Sequence, residues 1–186
     1  MNVCNISCNS NALKDLKKLY LMSFPEEERL DFNNLVERQN SGKGHFLGFY
    51  DDQVLVGMIY YTNYKEIVHI FYFAVDKKYR SKGYGSMMLN HMYKTFNKHK
   101  IILLIEILDE KAKNNDQRIK RKHFYLSNGF TGNEQFLTIL DVPFELLHRK
   151  AYSASISNFK EIMLYYCSDL KGETASELEQ LKANCS

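Results

Sequence analysis

Proline, cysteine and long apolar runs are all scarce in this chain of 186 residues. Pro25 and Pro143 are its only prolines, and no linker-like stretch divides it, so the sequence predicts a single domain over residues 1–170. No apolar window approaches the length that spans a bilayer, which excludes a membrane-spanning helix. The N-terminal residues lack the apolar core of a signal peptide, so we expect a cytoplasmic protein without a membrane partner.

Cysteine spacing and net charge exclude two further classes of protein. The four cysteines, Cys4, Cys8, Cys167 and Cys185, match no zinc-binding spacing, so we expect free thiols and no metal site. The net charge of +3 is too small to indicate a nucleic-acid partner, although it suits a small anionic ligand. The basic stretch 111–122 lacks interleaved aromatic residues, and we interpret it as a solvated helix face.

Hydrophobic periodicity predicts the element order βααβββαβαββ, followed by one more helix. Predicted strands cover residues 3–6, 45–50, 54–62, 68–75, 101–108, 136–140 and 144–148. A helix capped by Asn9 or Ser10 precedes Pro25, and a second begins at Glu26–Glu28. Three more helices are predicted. One follows Gly85, another begins at Asn114, and the third runs over 158–167 behind a Ser157 cap. The order indicates an α/β or α+β domain with a mixed sheet and a weakly ordered tail, residues 171–186.

A glycine turn lies between the apolar strand 68–75 and the following helix. Its sequence, Arg80-Ser81-Lys82-Gly83-Tyr84-Gly85, reads R-x-x-G-x-G. Glycines let an anion approach the backbone, and the first N–H groups of a helix lack intrahelical partners. Arg80 and Lys82 add cations suited to phosphoryl oxygens. The turn therefore predicts a phosphate site, although its spacing fits neither a dinucleotide fingerprint nor a Walker loop.

Two segments resemble signatures of one family. The segment FAVDKKYRSKGYGSMML resembles the acetyl-CoA signature of the GNAT N-acetyltransferase superfamily, [RQ]-x-x-G-x-[GA], with Arg80, Gly83 and Gly85 at the matching positions. The segment Phe124–Phe130, FYLSNGF, resembles the second signature, F-Y-x-x-x-G-F. The resemblance covers roughly residues 1–130. It implies a mostly antiparallel sheet with a βαβ acetyl-CoA-binding core flanked by helices.

The resemblance also implies roles for individual residues. The strand end Phe73, Ala74 and Val75 would pair with the pantetheine arm of acetyl-CoA. The turn would hold the pyrophosphate through Arg80, Ser81, Lys82, Gly83, Tyr84, Gly85 and Ser86. Tyr125 would be the general acid for the departing thiolate, since a phenol suits a thiolate better than it suits an alkoxide. Without the motif, Tyr125 would be interpreted as a core aromatic residue.

The base that accepts the proton of the amine has two candidates. Glu106 is the first, as a lone carboxylate within the apolar strand IILLIEIL, and its alternative is a charge bound to a basic neighbour. His69 is the second, although a lone histidine in an apolar strand is more often a hydrogen-bonded core residue. In the family the region around Pro25–Arg29 borders the acceptor, so its glutamates either attract a cationic amine or complement a helix dipole.

The function implied by the resemblance is acetyl transfer from acetyl-CoA to a primary amine, directly and within a ternary complex. We expect a small-molecule acceptor, since no extra module is present to grip a peptide. The alternatives are a protein or peptide acceptor, or a non-catalytic acyl-CoA-binding module with a regulatory role. We expect a monomer or a homodimer without a nucleic-acid partner.

Overall fold

The computed structural model describes residues 1–6, 11–139 and 141–169. The predicted tail and the two candidate caps Asn9 and Ser10 lie outside these residues. Contacts divide the chain into two compact units. Unit 1 comprises Met1–Asn63 and Ile70–Asn97, and unit 2 comprises Tyr64–His69 and the chain from Lys98 onward. The expectation of a single domain stays a prediction.

Mixed helices and strands confirm the predicted α/β class. The strands are β1 Asn2–Asn5, β2 His45–Asp51, β3 Val54–Tyr64, β4 Ile67–Val75, β5 Lys100–Glu106, β6 Phe130–Ile139 and β7 Val142–Arg149. The helices are α1 Asn11–Ser23, α2 Phe32–Asn40, α3 Tyr84–Thr95, α4 Asn115–Ser127 and α5 Ile156–Tyr166. The strands form a seven-stranded sheet in the order β1-β2-β3-β4-β5-β7-β6. The pairs β1–β2, β2–β3, β5–β7 and β6–β7 are antiparallel.

The start of α2 differs from the prediction. Glu26–Glu28 form a separate 3-10 turn behind Pro25, and α2 begins only at Phe32. Asp31 caps α2, because its Oδ1 accepts a hydrogen bond of 2.7 Å from the Asn33 N–H. A capping carboxylate satisfies an N–H group that would otherwise lack a partner, and this capping decides where the helix begins.

An aromatic cluster fills unit 1 between its helices and β4. The rings of Tyr20 and Tyr72 meet edge-on at 4.8 Å, and the Phe24 and Phe32 rings both lie within 5.5 Å of Tyr20. The Tyr20 hydroxyl donates to the Leu30 carbonyl oxygen, and the Leu30 N–H donates to the Tyr72 hydroxyl, each over 2.8 Å. These bonds hold the connection between α1 and α2 against the core.

Helix α3 packs closely on β3 at Gly57. A Cβ placed on Gly57 would lie 2.6 Å from Met88 Sδ and 2.9 Å from the Ala74 carbonyl oxygen. We therefore expect Gly57→Ala to lower the free energy of unfolding by about 2 kcal/mol, which urea denaturation measures. Gly57→Ala should lower the free energy of unfolding by less in a Met88→Ala background, because the new Cβ no longer meets the Met88 sulfur. An unchanged midpoint in the single variant would show that α3 does not pack there as described.

In unit 2, α5 begins two residues earlier than its predicted cap implies. Ser155 precedes the helix and forms a capping box with Asn158, so Ser157 lies inside the first turn. Gln135 of β6 supports the same turn, because its Oε1 accepts from the Ile156 N–H and its Nε2 donates to the Ala154 carbonyl oxygen. No helix in the described part of the chain is both long and apolar enough to cross a membrane.

Candidate active site

The glycine turn begins with a capped connection after β4. The Asp76 N–H donates to the Val56 carbonyl oxygen over 2.9 Å, which ties the end of β4 to β3. Asp76 then caps a 3-10 turn over Lys77–Tyr79, with its Oδ1 accepting from the Lys78 N–H over 2.8 Å. The position of the turn relative to β3 is therefore set before the glycines are reached.

Two residues of the turn have left-handed backbone conformations. The φ angles are 61° at Ser81 and 84° at Gly83. A Cβ on Gly83 would meet no atom within 4 Å, so the glycine is needed for its conformation and not for space. The first hydrogen bond of α3 runs from the Met87 N–H to the Gly83 carbonyl oxygen over 3.1 Å. The N–H groups of residues 84–86 consequently have no intrahelical acceptor, which leaves them available to an anion.

Two cations precede these amides in the same turn. Arg80 is exposed, and its Nε donates to the Val75 carbonyl oxygen over 3.1 Å, which orients the guanidinium and leaves its two Nη groups for other acceptors. The Lys82 ammonium lies 5.3 Å from the centre of the Tyr79 ring. A loop with cations, followed by amides that lack intrahelical acceptors at a helix start, has the chemistry of a phosphate site. The strand end Phe73–Val75 that precedes it is half-buried at Phe73 and Val75 and buried at Ala74.

Tyr125 lies in unit 2, near the end of α4, and is 7% exposed. Its ring meets the rings of Phe124 and Phe130 at 5.2 and 5.5 Å. Burial raises the pKa of the Tyr125 phenol to about 12, and the nearby positive charge of Arg121 opposes that shift. The side chain is thus both a core aromatic and a protonated phenol at every physiological pH.

Glu106, at the end of β5, is bound by basic neighbours. Arg118 Nη2 lies 2.7 Å from its Oε1, and Arg121 Nη1 lies 3.3 Å from its Oε2. Asn114 Nδ2 also approaches Oε2, at 3.5 Å. Arg118 further donates to the Ile107 carbonyl oxygen over 2.8 Å. Both carboxylate oxygens already accept from arginine, which matches the alternative interpretation of Glu106 as a charge bound to a basic neighbour. The role of Glu106 as a base stays a prediction.

The basic helix α4 is less solvated than its sequence suggested. Its Arg118 side chain is only 13% exposed, and Lys122 Nζ lies 2.6 Å from Oε2 of the buried Glu145 on β7. The interpretation of this stretch as a solvated face is therefore wrong for Arg118, whereas Lys122 is half-buried and the Arg121 side chain is 38% exposed. The carboxylates that draw these cations inward lie on β5 and β7, and helical periodicity cannot show such distant partners.

His69 is buried on β4 within unit 2. Its ring meets Phe159 of α5 at 5.2 Å, and burial lowers its pKa to about 3, although a hydrogen bond with the Ile102 backbone opposes the shift. A histidine with so low a pKa is neutral at pH 7 and is a weak proton acceptor. The contacts match the interpretation of a hydrogen-bonded core residue better than that of a base.

One contact of the glycine turn could not be found from the sequence. The Tyr84 hydroxyl donates to Asp51 Oδ2, at the end of β2. Asp51 directly follows the predicted strand 45–50 and has no predicted role in the site. The two residues are 33 positions apart, and no motif spacing links them.

Known proteins resemble this chain in sequence and in fold. The model of the acetyltransferase (GNAT) family matches residues 11–130. A structure from Bacteroides thetaiotaomicron assigned to the GNAT family has a TM-score of 0.71 and 26% identity, covering 83% of this chain and 89% of that one. Among curated proteins, no sequence matches the chain significantly.

Two further structures have the same fold at lower identity. An aminoglycoside 6'-N-acetyltransferase complexed with coenzyme A has a TM-score of 0.63 and 18% identity, covering 83% of this chain and 99% of that one. A chimera of the Vibrio cholerae spermidine N-acetyltransferase has a TM-score of 0.60 and 17% identity, covering 80% and 93%. Since the family model spans well over half of the sequence and both predicted signatures fall within it, this chain belongs to the GNAT family of acetyltransferases.

Proposed function

We propose that the protein transfers an acetyl group from acetyl-CoA to the primary amine of a small molecule. The observation that carries the proposal is the start of α3, where amides without intrahelical acceptors follow a left-handed Gly83 and the cations Arg80 and Lys82. These groups suit the pyrophosphate of coenzyme A. The coenzyme A complex of the aminoglycoside acetyltransferase with the same fold supports this choice of co-substrate.

The residues of the turn would divide the binding of the coenzyme. Backbone N–H groups of the turn and the first helical turn would donate hydrogen bonds to the pyrophosphate oxygens, and Arg80 would add a guanidinium pre-oriented by the Val75 carbonyl oxygen. The strand end Phe73–Val75 would hydrogen-bond the pantetheine arm through its backbone. We infer this last role from the family signature.

The reaction exchanges one bond for another. The neutral amine attacks the thioester carbonyl carbon, a C–N bond forms, the C–S bond breaks, and the nitrogen loses a proton while the sulfur gains one. Tyr125 would stabilise the departing sulfur by donating a hydrogen bond from its phenol. We propose that water carries the proton away from the amine, because both oxygens of Glu106 already accept from arginine and the pKa of His69 is about 3.

The raised pKa of Tyr125 limits how completely its proton moves. A free thiol has a pKa near 8.5, so full transfer from a phenol at about 12 to a free thiolate is uphill by about 5 kcal/mol. Burial of the leaving sulfur raises the pKa of that thiol as well, which narrows the difference between the pKa values of the phenol and the thiol. Tyr125 therefore acts mainly as a hydrogen-bond donor to the developing charge, which is where donation lowers the barrier.

A panel of amines tests the function. Purified protein, acetyl-CoA and one candidate acceptor are mixed, and release of free thiol is followed above the rate of hydrolysis. The panel holds spermidine, an aminoglycoside, free amino acids and lysine-containing peptides, because structures with this fold include aminoglycoside and spermidine acetyltransferases. Faster release with a small amine supports the proposal. Faster release with peptides would favour a protein acceptor, and coenzyme A binding without release would favour a regulatory module.

Direct transfer predicts that no thiol is essential. We expect a variant with Cys4, Cys8 and Cys185 replaced by serine and Cys167 replaced by alanine to keep its kcat within about twofold. Alanine is chosen at position 167 because that side chain is buried. Loss of turnover in a variant that still binds acetyl-CoA and unfolds at the normal temperature would indicate a covalent acetyl-cysteine intermediate.

A further inference from the structure

Tyr84 links the glycine turn to a distant hairpin. It is the first residue of α3, and its hydroxyl donates to the carboxylate of Asp51, the last residue of β2. Asp51 pairs with Val54 across the tight turn that joins β2 to β3. The bond therefore joins the first turn of the helix to the end of the hairpin, within unit 1.

Other contacts hold the connection and the body of α3, and at its first residue the Tyr84 ring meets the Tyr79 ring of the same loop edge-on at 6.2 Å. Asp76 is bound to β3 before the glycines, Met88 packs on Gly57 one turn into the helix, and the ring of His91 meets Phe49 at 5.7 Å further along. Between these points the backbone passes through the left-handed conformations of the turn. Among the residues that the structure describes, Tyr84 makes the only side-chain hydrogen bond from the first turn of α3 to the hairpin.

The chemistry of the bond suits a structural role beside an anion. Asp51 is exposed, and a carboxylate acceptor makes a stronger hydrogen bond with a phenol than a neutral acceptor does. Its contact with the Tyr84 hydroxyl directs one of its oxygens toward the phenol. The hydrogen bond to Asp51 raises the pKa of Tyr84, so the phenol stays a donor at physiological pH.

We propose that Asp51 and Tyr84 are positioning residues that hold the first turn of α3 where its N–H groups meet the pyrophosphate of the acetyl donor. The inference rests on the proposed function and extends it to Asp51, a residue outside the glycine signature. It implies that the pair acts on the nucleotide half of the donor alone. A donor that lacks the pyrophosphate should not sense the pair.

Two donors test this implication. Steady-state rates are measured with acetyl-CoA and with acetyl-pantetheine, which carries the same thioester but no pyrophosphate. We expect Asp51→Ala to raise KM for acetyl-CoA about fivefold with kcat unchanged, and to leave kcat/KM for acetyl-pantetheine within about 1.5-fold. Asp51→Asn restores KM to within about twofold, since the amide oxygen accepts the same hydroxyl.

Tyrosine variants supply the matched control. Tyr84→Phe should raise KM for acetyl-CoA as Asp51→Ala does, and the double variant should be no worse than either single one. Tyr79→Phe removes a hydroxyl from the same loop, where no described residue hydrogen-bonds it, and should leave both donors unaffected. Equal losses with both donors, or additive losses in the double variant, would overturn the inference.

Calorimetry separates failure of this inference from failure of the proposed function. If wild-type protein binds no coenzyme A, the proposed function fails. If wild-type protein binds coenzyme A and Asp51→Ala binds it equally well, only this inference fails.

Discussion

Replacement of Tyr125 by phenylalanine should lower kcat about 100-fold, because the variant keeps the ring and loses the hydroxyl that we propose as the donor to the departing sulfur. The affinity for acetyl-CoA should change less than about threefold, since a donor to a charge that develops in the transition state adds little to ground-state binding. Turnover by thiol release and binding by calorimetry measure the two quantities separately. Tyr152→Phe, which removes a hydroxyl from an exposed tyrosine, serves as the matched control and should leave both unchanged.

The pH dependence of stability gives a second test of the same side chain. The folded-state pKa of Tyr125 is about 12 and the ordinary value is 10, so the unfolded phenol ionises first as pH rises. Its contribution to stability is complete below pH 10 and is lost between pH 10 and about 12. Tyr125→Phe should lack this part of the alkaline decline. If kcat and the alkaline unfolding profile both match those of wild-type protein, Tyr125 is neither the donor nor buried as described.

Replacement of Glu106 by glutamine should lower the free energy of unfolding by about 3 kcal/mol, because two arginines lose the carboxylate between them and Arg118 is mostly buried. Chemical denaturation measures the change. The exposed pair of Lys65 and Glu161 is the matched control, and Glu161→Gln should cost less than about 1 kcal/mol. Replacing Glu106 and Arg118 together by apolar residues should cost less than the single change, since no unpaired charge remains.

The same variant separates two roles for Glu106. At a temperature where Glu106→Gln is folded, we expect kcat within about threefold of wild type, because the structure engages this carboxylate in ion pairs. A fall of about 100-fold in a folded variant would instead identify Glu106 as the general base. Unchanged stability would contradict the ion-pair geometry itself.

Local signals in the sequence were sufficient to predict the site's own backbone. The two glycines, the preceding apolar strand and the amphipathic helix all lie within one stretch, so their order predicts a strand, a turn and a helix start. The segment Phe124–Phe130 similarly carries the end of α4, but β6 begins at Phe130, six residues before the predicted strand 136–140. Residue type determines these features, since Gly83 has a φ of 84° and Gly129 a φ of 86°, which glycine adopts readily.

The partners of side chains could not be predicted in the same way. Glu106 and Arg118 meet because β5 and α4 pack together, and Asp51 and Tyr84 meet because α3 starts beside a hairpin. Nothing in the spacing of these residues encodes either pair. Helix starts also depend on which of several nearby residues caps the helix. Asp31 caps α2, so this helix begins after the glutamates predicted to start it, and Ser155 caps α5 in place of the predicted Ser157.

The assignment of the glycine turn as the pyrophosphate site is tested most directly by backbone amide NMR. Isotope-labelled protein is titrated with coenzyme A and, separately, with pantetheine. The N–H signals of residues 82–86 should shift on addition of coenzyme A and stay in place with pantetheine, since only the first ligand carries the pyrophosphate. Saturable binding of coenzyme A with these five amides unmoved would contradict the assignment and place the nucleotide elsewhere.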